Sequence, residues 1–431
     1  MAIAMAKESV MQFLVRGRAV VALVCVFAAA FAALPLTTVA QTSPGTVLFS
    51  RTTYSQGSQT SSSIFSIGDD GSNLRQLTPY VDNEYDIPSV SATYNMWLTN
   101  AFNPKGTYSV FLRASYTFQR GYYAGKYFIV SAYGVRTPQM FGGANDLQDP
   151  SVGPGYGSVS WGPTGDQIAY ANVADLHTTG AHPSCVRLMQ STGANNHALW
   201  CADRWNYWGI EGIRWSGNGG SLMVYAVRTS NALMADLYVI NVGTGTATLV
   251  ATNLNSPHNG GGAGDISYDG HEVIYQTTRD TNDPVCNPSA GSMWCAKNLQ
   301  TGQRVALVDS SNIVSFNPYG IGLISPDGSQ AFLMGSNSTV GLWDQELYAV
   351  KTDGSTFSKI TSPCVAVDPA KDPNALLFWR PVRVSPDGGR ILANCDYSDN
   401  GPPEVQIWVL NLTGGSSHFV TNGVAYDWHT Q

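Results

Sequence analysis

Charged residues are scarce in this sequence, and basic residues are the scarcer kind. Only 12% of the 431 residues are charged, and 23 Lys and Arg stand against 30 Asp and Glu, for a formal net charge of −7. Nucleic-acid-binding proteins need a concentrated basic surface, so no nucleic-acid partner is expected. A low charged fraction together with 44 glycines is typical of a turn-rich all-β chain rather than of a helical one.

Common motifs of catalytic and metal sites are absent as well. The sequence has no G-x-S-x-G nucleophile elbow, which excludes an attached hydrolase domain of the prolyl oligopeptidase type. It also has no H-E-x-x-H or H-x-H motif and no C-x-x-C pair. These absences leave metal catalysis and thiol redox chemistry without support, and no metal site is predicted.

Long hydrophobic runs are confined to the first forty residues. Lys7, Arg16 and Arg18 precede the apolar run 19–34, and small residues then end at Ala40. This is the pattern of a secretory signal peptide, and the run is shorter than the ~20 residues that span a bilayer. We therefore predict a signal peptide at 1–40 and a secreted or periplasmic domain at 41–431, with no membrane insertion after cleavage. An uncleaved anchor is the competing interpretation.

The strongest pattern in the chain is an internal repeat. A turn tetrapeptide that ends in glycine recurs with its final glycines 51 to 60 residues apart. The copies are Asn103–Gly106, Gly162–Gly165, Ser216–Gly219, Ser267–Gly270, Ser325–Gly328 and Ser385–Gly388. Short apolar runs before and after each turn predict two strands joined by a tight turn. Two further runs, such as Asp236–Asn241 and Thr248–Val250, complete a four-stranded unit, which is the signature of a propeller blade.

The two ends of the repeat set the predicted number of blades. The first unit begins with a second strand at 46–50, and its missing first strand matches Val424–Trp428 at the other end of the chain. Pairing these segments would close the ring and remove exposed sheet edges. We therefore predict an all-β, seven-bladed β-propeller closed by pairing of the C-terminal strand with the N-terminal blade. A monomer is expected.

The repeat resembles that of the TolB-like propeller family. The family pattern runs from Ser-Pro-Asp-Gly through Ile-Ala-Phe and Ile-Tyr-Val to Asp-Gly-Ser and Leu-Thr, and 325–361, 385–420 and 70–78 match it best. The resemblance covers nearly the whole chain after residue 40, and it implies the propeller fold but no particular function. The first unit starts close to the predicted cleavage site, so a lone propeller without the N-terminal domain of TolB is expected.

In such a propeller the loops between blades, and those between second and third strands, share one face, which we call the long-loop face. Long polar loops with aromatic residues near a central funnel predict a ligand-binding surface there. The candidate ligand-binding residues are Tyr85, Asp86, Trp205, Trp208 and Trp379. For any single tryptophan, packing in a seam between blades is favoured, whereas the set as a whole favours binding. A polysaccharide or a protein segment is the expected partner.

The six cysteines after residue 40 predict disulfide bonds, because an even number in an exported chain is typical of paired cysteines. Their positions in the repeat place all of them on the long-loop face. We predict the pairs Cys185–Cys201, Cys286–Cys295 and Cys364–Cys395. Each pair would restrain a long loop.

One enzymatic hypothesis survives the exclusions. β-Elimination of a uronate polysaccharide needs a base, commonly Tyr or His, and a cation that neutralises the carboxylate; several uronate lyase families resemble a seven-bladed propeller. The candidate catalytic residues are His258, Tyr319, Arg204 and Arg380. His258 lies in a glycine-rich loop, where a solvated turn is the competing interpretation. The sequence thus predicts a ligand-binding propeller, with a polysaccharide lyase as the alternative.

No cofactor is required for either function. The acids Asp82, Glu84, Asp86 and Asp265 offer the oxygen ligands that Ca²⁺ prefers. Their spacing is not that of an established calcium loop, so solvated loop acids are the default interpretation and a Ca²⁺ site stays an open alternative.

Overall fold

Strands are the regular elements of the part of the chain that the structure describes. A computed structural model describes residues 45–55, 58–81, 84–87, 100–117, 122–131, 139–140, 159–172, 183–231, 233–256, 264–278, 283, 285–286, 293–307, 320–335, 346–360, 376–398, 404–412 and 416–430. The strands of these residues form six sheets.

Sheet 1 has eight strands and sheets 2 to 6 have four each within the described residues. Sheet 1 contains β1 (Thr46–Ser55), β2 (Ser58–Gly68), β3 (Arg75–Gln76), β4 (Glu84–Ile87), β5 (Tyr108–Thr117), β6 (Tyr122–Ser131), β7 (Gln139–Met140) and β28 (Val424–His429). Sheet 2 contains β8 (Val159–Trp161), β9 (Gln167–Asn172), β10 (Cys185–Gln190) and β11 (His197–Cys201). Sheet 3 contains β12 (Tyr207–Trp215), β13 (Ser221–Arg228), β14 (Met234–Asn241) and β15 (Ala247–Asn255).

The remaining sheets repeat the same order. Sheet 4 contains β16 (Asp265–Ile266), β17 (Glu272–Thr277), β18 (Met293–Asn298) and β19 (Arg304–Ala306). Sheet 5 contains β20 (Gly322–Ile324), β21 (Gln330–Gly335), β22 (Glu346–Lys351) and β23 (Phe357–Ile360). Sheet 6 contains β24 (Leu376–Val384), β25 (Arg390–Ser398), β26 (Glu404–Asn411) and β27 (His418–Asn422).

The predicted number of seven blades is wrong, because the described strands form six sheets. Two predicted units merge in sheet 1 through the short strand β4. Tyr85 of β4 pairs with Ser62 of β2 in the parallel direction, and residues 84–87 pair with 112–115 of β5 in the antiparallel direction. The bridging strand lies in the stretch that the repeat pattern assigns to a loop between blades. The predicted pairing of the two ends is present, since β28 pairs with β1.

Three of the turns between first and second strands, at 267–270, 325–328 and 385–388, have the sequence Ser-x-Asp-Gly, which forms the turn. In the turn at 325–328, the Ser325 hydroxyl donates a hydrogen bond to Asp327 Oδ1 (2.5 Å), which also accepts one from the Ser329 amide (3.1 Å). These bonds, led by the one from the Ser325 hydroxyl, lower the pKa of Asp327. Gly328 has a φ of 73°, a conformation that glycine adopts without strain. The aspartates at this position of the turns therefore stabilise the turns.

The core consists of the seams between neighbouring sheets. Each sheet has apolar residues on both of its faces, and each face packs against a neighbouring sheet, as in the blades of a propeller. The seam between sheets 3 and 4 contains Tyr225 and Tyr275, and the seam between sheets 6 and 1 contains Phe49 and Ile407. Equivalent clusters join the other neighbouring sheets. The six sheets thus form a closed ring.

Two buried aspartates also connect the innermost strands across these seams. Asp265 on β16 pairs with Arg214 of β12 (2.6 Å) and accepts a hydrogen bond from the Ile324 amide of β20 (3.1 Å). Asp427 on β28 pairs with Arg383 of β24 in the same way (2.5 Å). Both arginines directly follow a register shift in their strand, and such bulges re-aim side chains. We call these contacts the axial links.

Candidate functional site

The loop between sheets 2 and 3 is an ordered part of the long-loop face. It runs from the end of β11 to the start of β12 and turns around Asp203. One carboxylate oxygen of Asp203 accepts a hydrogen bond from the Trp205 amide (3.0 Å), and the other accepts one from Asn206 Nδ2 (2.8 Å). The Asp203 carbonyl accepts a further bond from the Tyr207 amide (2.9 Å). Hydrogen bonds among the loop's own residues therefore hold its backbone in place.

Two neighbouring segments anchor the same loop. The disulfide Cys185–Cys201 joins β10 to β11 just before it, and the Ala202 amide donates to the Ser184 carbonyl (2.9 Å). On the other side, Thr229 Oγ1 donates to the Trp205 carbonyl (2.8 Å). We call residues 202–206 the Trp205 loop.

The Trp205 loop presents an aromatic ring and a cation to solvent. Trp205 is 75% exposed, and the Arg204 guanidinium carbon lies 4.6 Å from the centroid of its ring. Arg204 forms no ion pair with any residue that the structure describes. Leu233, in the loop between β13 and β14, is exposed too, and its carbonyl accepts a hydrogen bond from the Ser256 amide (2.7 Å).

A buried polar network adjoins the Trp205 loop. Asp236 is 2% exposed and accepts hydrogen bonds from Tyr207 Oη (2.7 Å) and the Asn253 amide (3.0 Å). Arg228 donates to it from Nε and Nη2 (3.0 and 2.9 Å). Burial, and then the hydrogen bonds to Tyr238 and Asp236, raise the pKa of Tyr207, so its hydroxyl stays protonated. Tyr207 therefore acts as a hydrogen-bond donor here and not as a base.

Sequence reasoning named Arg204 and Trp205 but missed this network. Asp236 starts a segment, Asp-Leu-Tyr, that recurs as Glu346-Leu-Tyr at the start of β22. In sheet 5, Glu346 forms an ion pair with Lys359 near the surface, whereas in sheet 3 the corresponding Asp236 is buried. An acid that repeats at the start of an otherwise apolar strand was the available signal.

The other described candidates lie on different sheets. Trp379 is 5% exposed and packs edge to face on Trp408 in the seam between sheets 5 and 6. Packing in a seam was the alternative that the sequence offered for any single tryptophan. Arg380 follows it on β24. Tyr85 packs against the seam between sheets 1 and 2, and Asp86 beside it is buried. Among the described candidates, the structure brings Arg204 and Trp205 together.

Several candidates lie outside the described residues. They are His258, Tyr319 and Asp82, together with the side chains of Trp208 and Glu84. Of the calcium candidates, Asp265 is already engaged with Arg214. No group of three His, Cys, Asp or Glu side chains in the described ranges is arranged as a metal site would be.

The disulfides agree with the predicted pairs where they are described. Cys185–Cys201 and Cys286–Cys295 are both formed. Cys395 is disulfide-bonded as well, but Cys364, its predicted partner, lies outside the described residues. Among the residues that the structure describes, no helix is long and apolar enough to cross a membrane.

Comparison with known proteins identifies the fold. No family model and no curated protein matches the chain. Among solved structures it is similar to an oligogalacturonate lyase in complex with manganese, with a TM-score of 0.50 and 13% identity over 88% of this chain and 86% of that one. It is also similar to the β-propeller domain of the Trilobed protease from Pyrococcus furiosus, with a TM-score of 0.50 and 8% identity over 88% and 98% of the two chains.

TolB from Acinetobacter baumannii is a weaker match. Its TM-score is 0.40, with 14% identity over 73% of this chain and 69% of that one, too low to carry an argument. Likenesses at such identities show the fold and not the ligand. The other two structures support the propeller fold that the TolB-like resemblance implied, and the chain is not assigned to that family. The chain has the all-β fold of a β-propeller, and its most exposed described aromatic residue, Trp205, lies on an ordered loop of the long-loop face.

Proposed function

We propose that this protein binds a ligand, either a glycan or a protein segment, at the Trp205 loop of its long-loop face. The observation that carries the proposal is the 75% exposure of Trp205 on a loop whose backbone is fixed by hydrogen bonds. Tryptophan is enriched at interfaces, where a partner covers its apolar ring and its N–H group finds a hydrogen-bond acceptor. Tryptophan and arginine are also the residues most enriched at binding hot spots.

The order of the loop supports recognition. A side chain on a fixed backbone loses little conformational freedom when a ligand binds, so more of the contact energy appears as affinity. Arg204 covers part of the Trp205 ring and adds a hydrogen-bond donor beside it. Together they offer a flat apolar surface with a charged edge.

We infer that binding takes place after export. Disulfides form and persist in the periplasm or outside the cell, and two are present here. The signal peptide predicted at 1–40 lies outside the described residues. The function is therefore proposed for a secreted or periplasmic protein.

The test is the substitution Trp205→Ala, with binding measured by calorimetry against panels of oligosaccharides and extended peptides. We expect the wild-type protein to bind at least one panel member and the variant to bind it at least about tenfold more weakly. Tyr268→Ala is the matched control, because Tyr268 is also exposed but lies in a turn on the opposite face. Equal affinities of wild type and Trp205→Ala for every ligand found would refute the assignment of this loop.

The β-elimination hypothesis depends on His258 and Tyr319, which lie outside the described residues, so it stays a prediction. The same incubations test it, since cleavage of a uronate polysaccharide by a lyase generates an ultraviolet-absorbing unsaturated product. Rising absorbance that is lost in His258→Ala would establish a lyase.

A further inference from the structure

A second cation lies beside the Trp205 loop. Arg228 ends β13 and pairs in register with Tyr207. The next residue, Thr229, is bonded to the loop twice, by its hydroxyl to the Trp205 carbonyl (2.8 Å) and by its amide to the Asn206 carbonyl (2.9 Å). Arg228 is thus one residue away from the contact that anchors the loop.

Asp236 fixes the direction of the Arg228 guanidinium. The Nε and Nη2 atoms of Arg228 donate to Asp236, while Nη1 makes no hydrogen bond with any described residue. The side chain of Arg228 is 30% exposed and that of Asp236 is 3% exposed. The buried carboxylate therefore holds one edge of the guanidinium and leaves the Nη1 edge for a ligand.

The two guanidinium groups at the loop keep hydrogen-bond donors that an anion can use. Arg204 has no acidic partner among the described residues, and both carboxylate oxygens of Asp203 are already bonded within the turn. Arg204 lies over the Trp205 ring, and Arg228 directly precedes Thr229, which is hydrogen-bonded to the loop. Guanidinium groups bind two-oxygen anions such as carboxylates with paired hydrogen bonds.

The backbone of the loop argues against a peptide ligand. Extended peptides commonly bind through main-chain hydrogen bonds. Here the Trp205 amide and the carbonyls of Trp205 and Asn206 are already used inside the protein. Recognition at this loop would therefore come from ring stacking and charge, which suits a sugar ring that carries an acid group.

We propose that the Trp205 loop recognises an acidic saccharide, whose ring stacks on Trp205 while its carboxylate or sulfate is bound by Arg204 and by the Nη1 edge of Arg228. This proposal rests on the function proposed above and specifies its ligand. It adds Arg228 to the site as a ligand-binding residue and assigns Asp236 the role of positioning it.

The test compares oligogalacturonate with its methyl ester, which keeps the sugar ring but lacks the charge. We expect the acid form to bind the wild-type protein about tenfold more tightly than the ester. Arg204→Gln should remove most of this preference, because it weakens binding of the acid form much more than binding of the ester. Lys105→Gln is the control, because it removes an exposed positive charge from a turn on the opposite face.

Arg228→Lys tests the second cation. Lysine keeps the positive charge near Asp236 but lacks the second edge of the guanidinium, so we expect binding of the acid form to weaken more than binding of the ester. Thermal unfolding of the variant shows whether the fold is kept. If it is not, the Arg204→Gln comparison decides the proposal alone.

The outcomes separate this inference from the proposed function. If acid and ester bind equally and Trp205→Ala weakens both, the loop is a binding site but the preference for an anion is wrong. If neither saccharide binds and a polyglutamate peptide binds through Trp205, the ligand is a protein segment and the saccharide assignment fails. If no member of any panel depends on Trp205, both proposals fail.

Discussion

Asp236 shows how single residues hold the candidate site in place. A carboxylate removed from water is costly unless it is paired and fully hydrogen-bonded. Asp236 meets this condition through Arg228, the Tyr207 hydroxyl and the Asn253 amide, which come from three different strands of sheet 3. The network therefore ties the start of β12, next to the Trp205 loop, to the strands behind it.

At this scale we predict that Tyr207→Phe destabilises the protein. The change removes a hydroxyl that donates to a buried carboxylate, and hydrogen bonds to charged groups are worth about 1.5–3 kcal/mol. The free energy of unfolding in denaturant should fall by roughly this amount. Tyr268→Phe, at an exposed ring, should leave it unchanged, and equal losses in both variants would contradict the role of the network.

At the scale of elements, the axial links connect strands that do not share a sheet. Arg214 of β12 and Asp265 of β16 are both buried, and Asp265 also caps the backbone of β20. One side chain thus connects the innermost strands of three consecutive sheets. Apolar packing in the seams is non-directional, whereas these directed bonds fix the relative height of neighbouring strands.

We predict that Asp265→Asn destabilises the protein strongly. It removes the negative charge that pairs with the buried Arg214, and breaking one side of a buried ion pair costs about 3–5 kcal/mol. Chemical denaturation measures the loss. The control is Asp269→Asn four residues later, where the carboxylate is 59% exposed; a similar loss there would show that the axial link is not the cause.

At the scale of the whole molecule, β28 closes the ring and carries a titratable group. His429 lies at the end of β28 against Phe102. Its partial burial lowers its pKa, an effect that Arg383 increases and Asp427 opposes. Unfolded chains therefore bind a proton at this histidine at a higher pH than folded ones do.

We predict that acid weakens the closure. With the folded pKa below 6.5, the contribution of neutral His429 to stability is complete above 6.5 and is lost as the pH falls from there through the folded pKa. The denaturant midpoint should therefore decrease over this range in the wild type and decrease less in His429→Gln. The same slope in both proteins would exclude His429 as a source of the acid sensitivity.

Much of the fold was predictable because short local sequence patterns define each unit of the repeat. Glycine turns and period-two apolar runs place the strand pair at 322–335 and the third strand at 234–241 close to where the structure has them. Strand β4 was not predictable from local signals, because no glycine turn marks its ends. Its parallel contact with β2 is non-local. That one strand accounts for the wrong number of blades.

The candidate site was predictable only in part. Trp205 stood out as an aromatic residue in a polar loop, but Trp379 has the same signal and lies in a seam. Sequence shows that an aromatic residue follows a strand; it does not show whether the chain turns the ring inward. Arg228, Asp236 and Tyr207 converge from separate strands, and such convergence is set by register and bulges that short motifs do not encode.

The pairing of β1 with β28 has a consequence for how the protein is made. In the order of synthesis, β1 is the first described strand and β28 the last. Until β28 has been synthesised, β1 keeps an unpaired edge that can join a wrong partner. The contact that protects this edge joins residues from the two ends of the described chain, and such non-local contacts slow folding. A chain built in this way can complete sheet 1 only after its last strand has been synthesised.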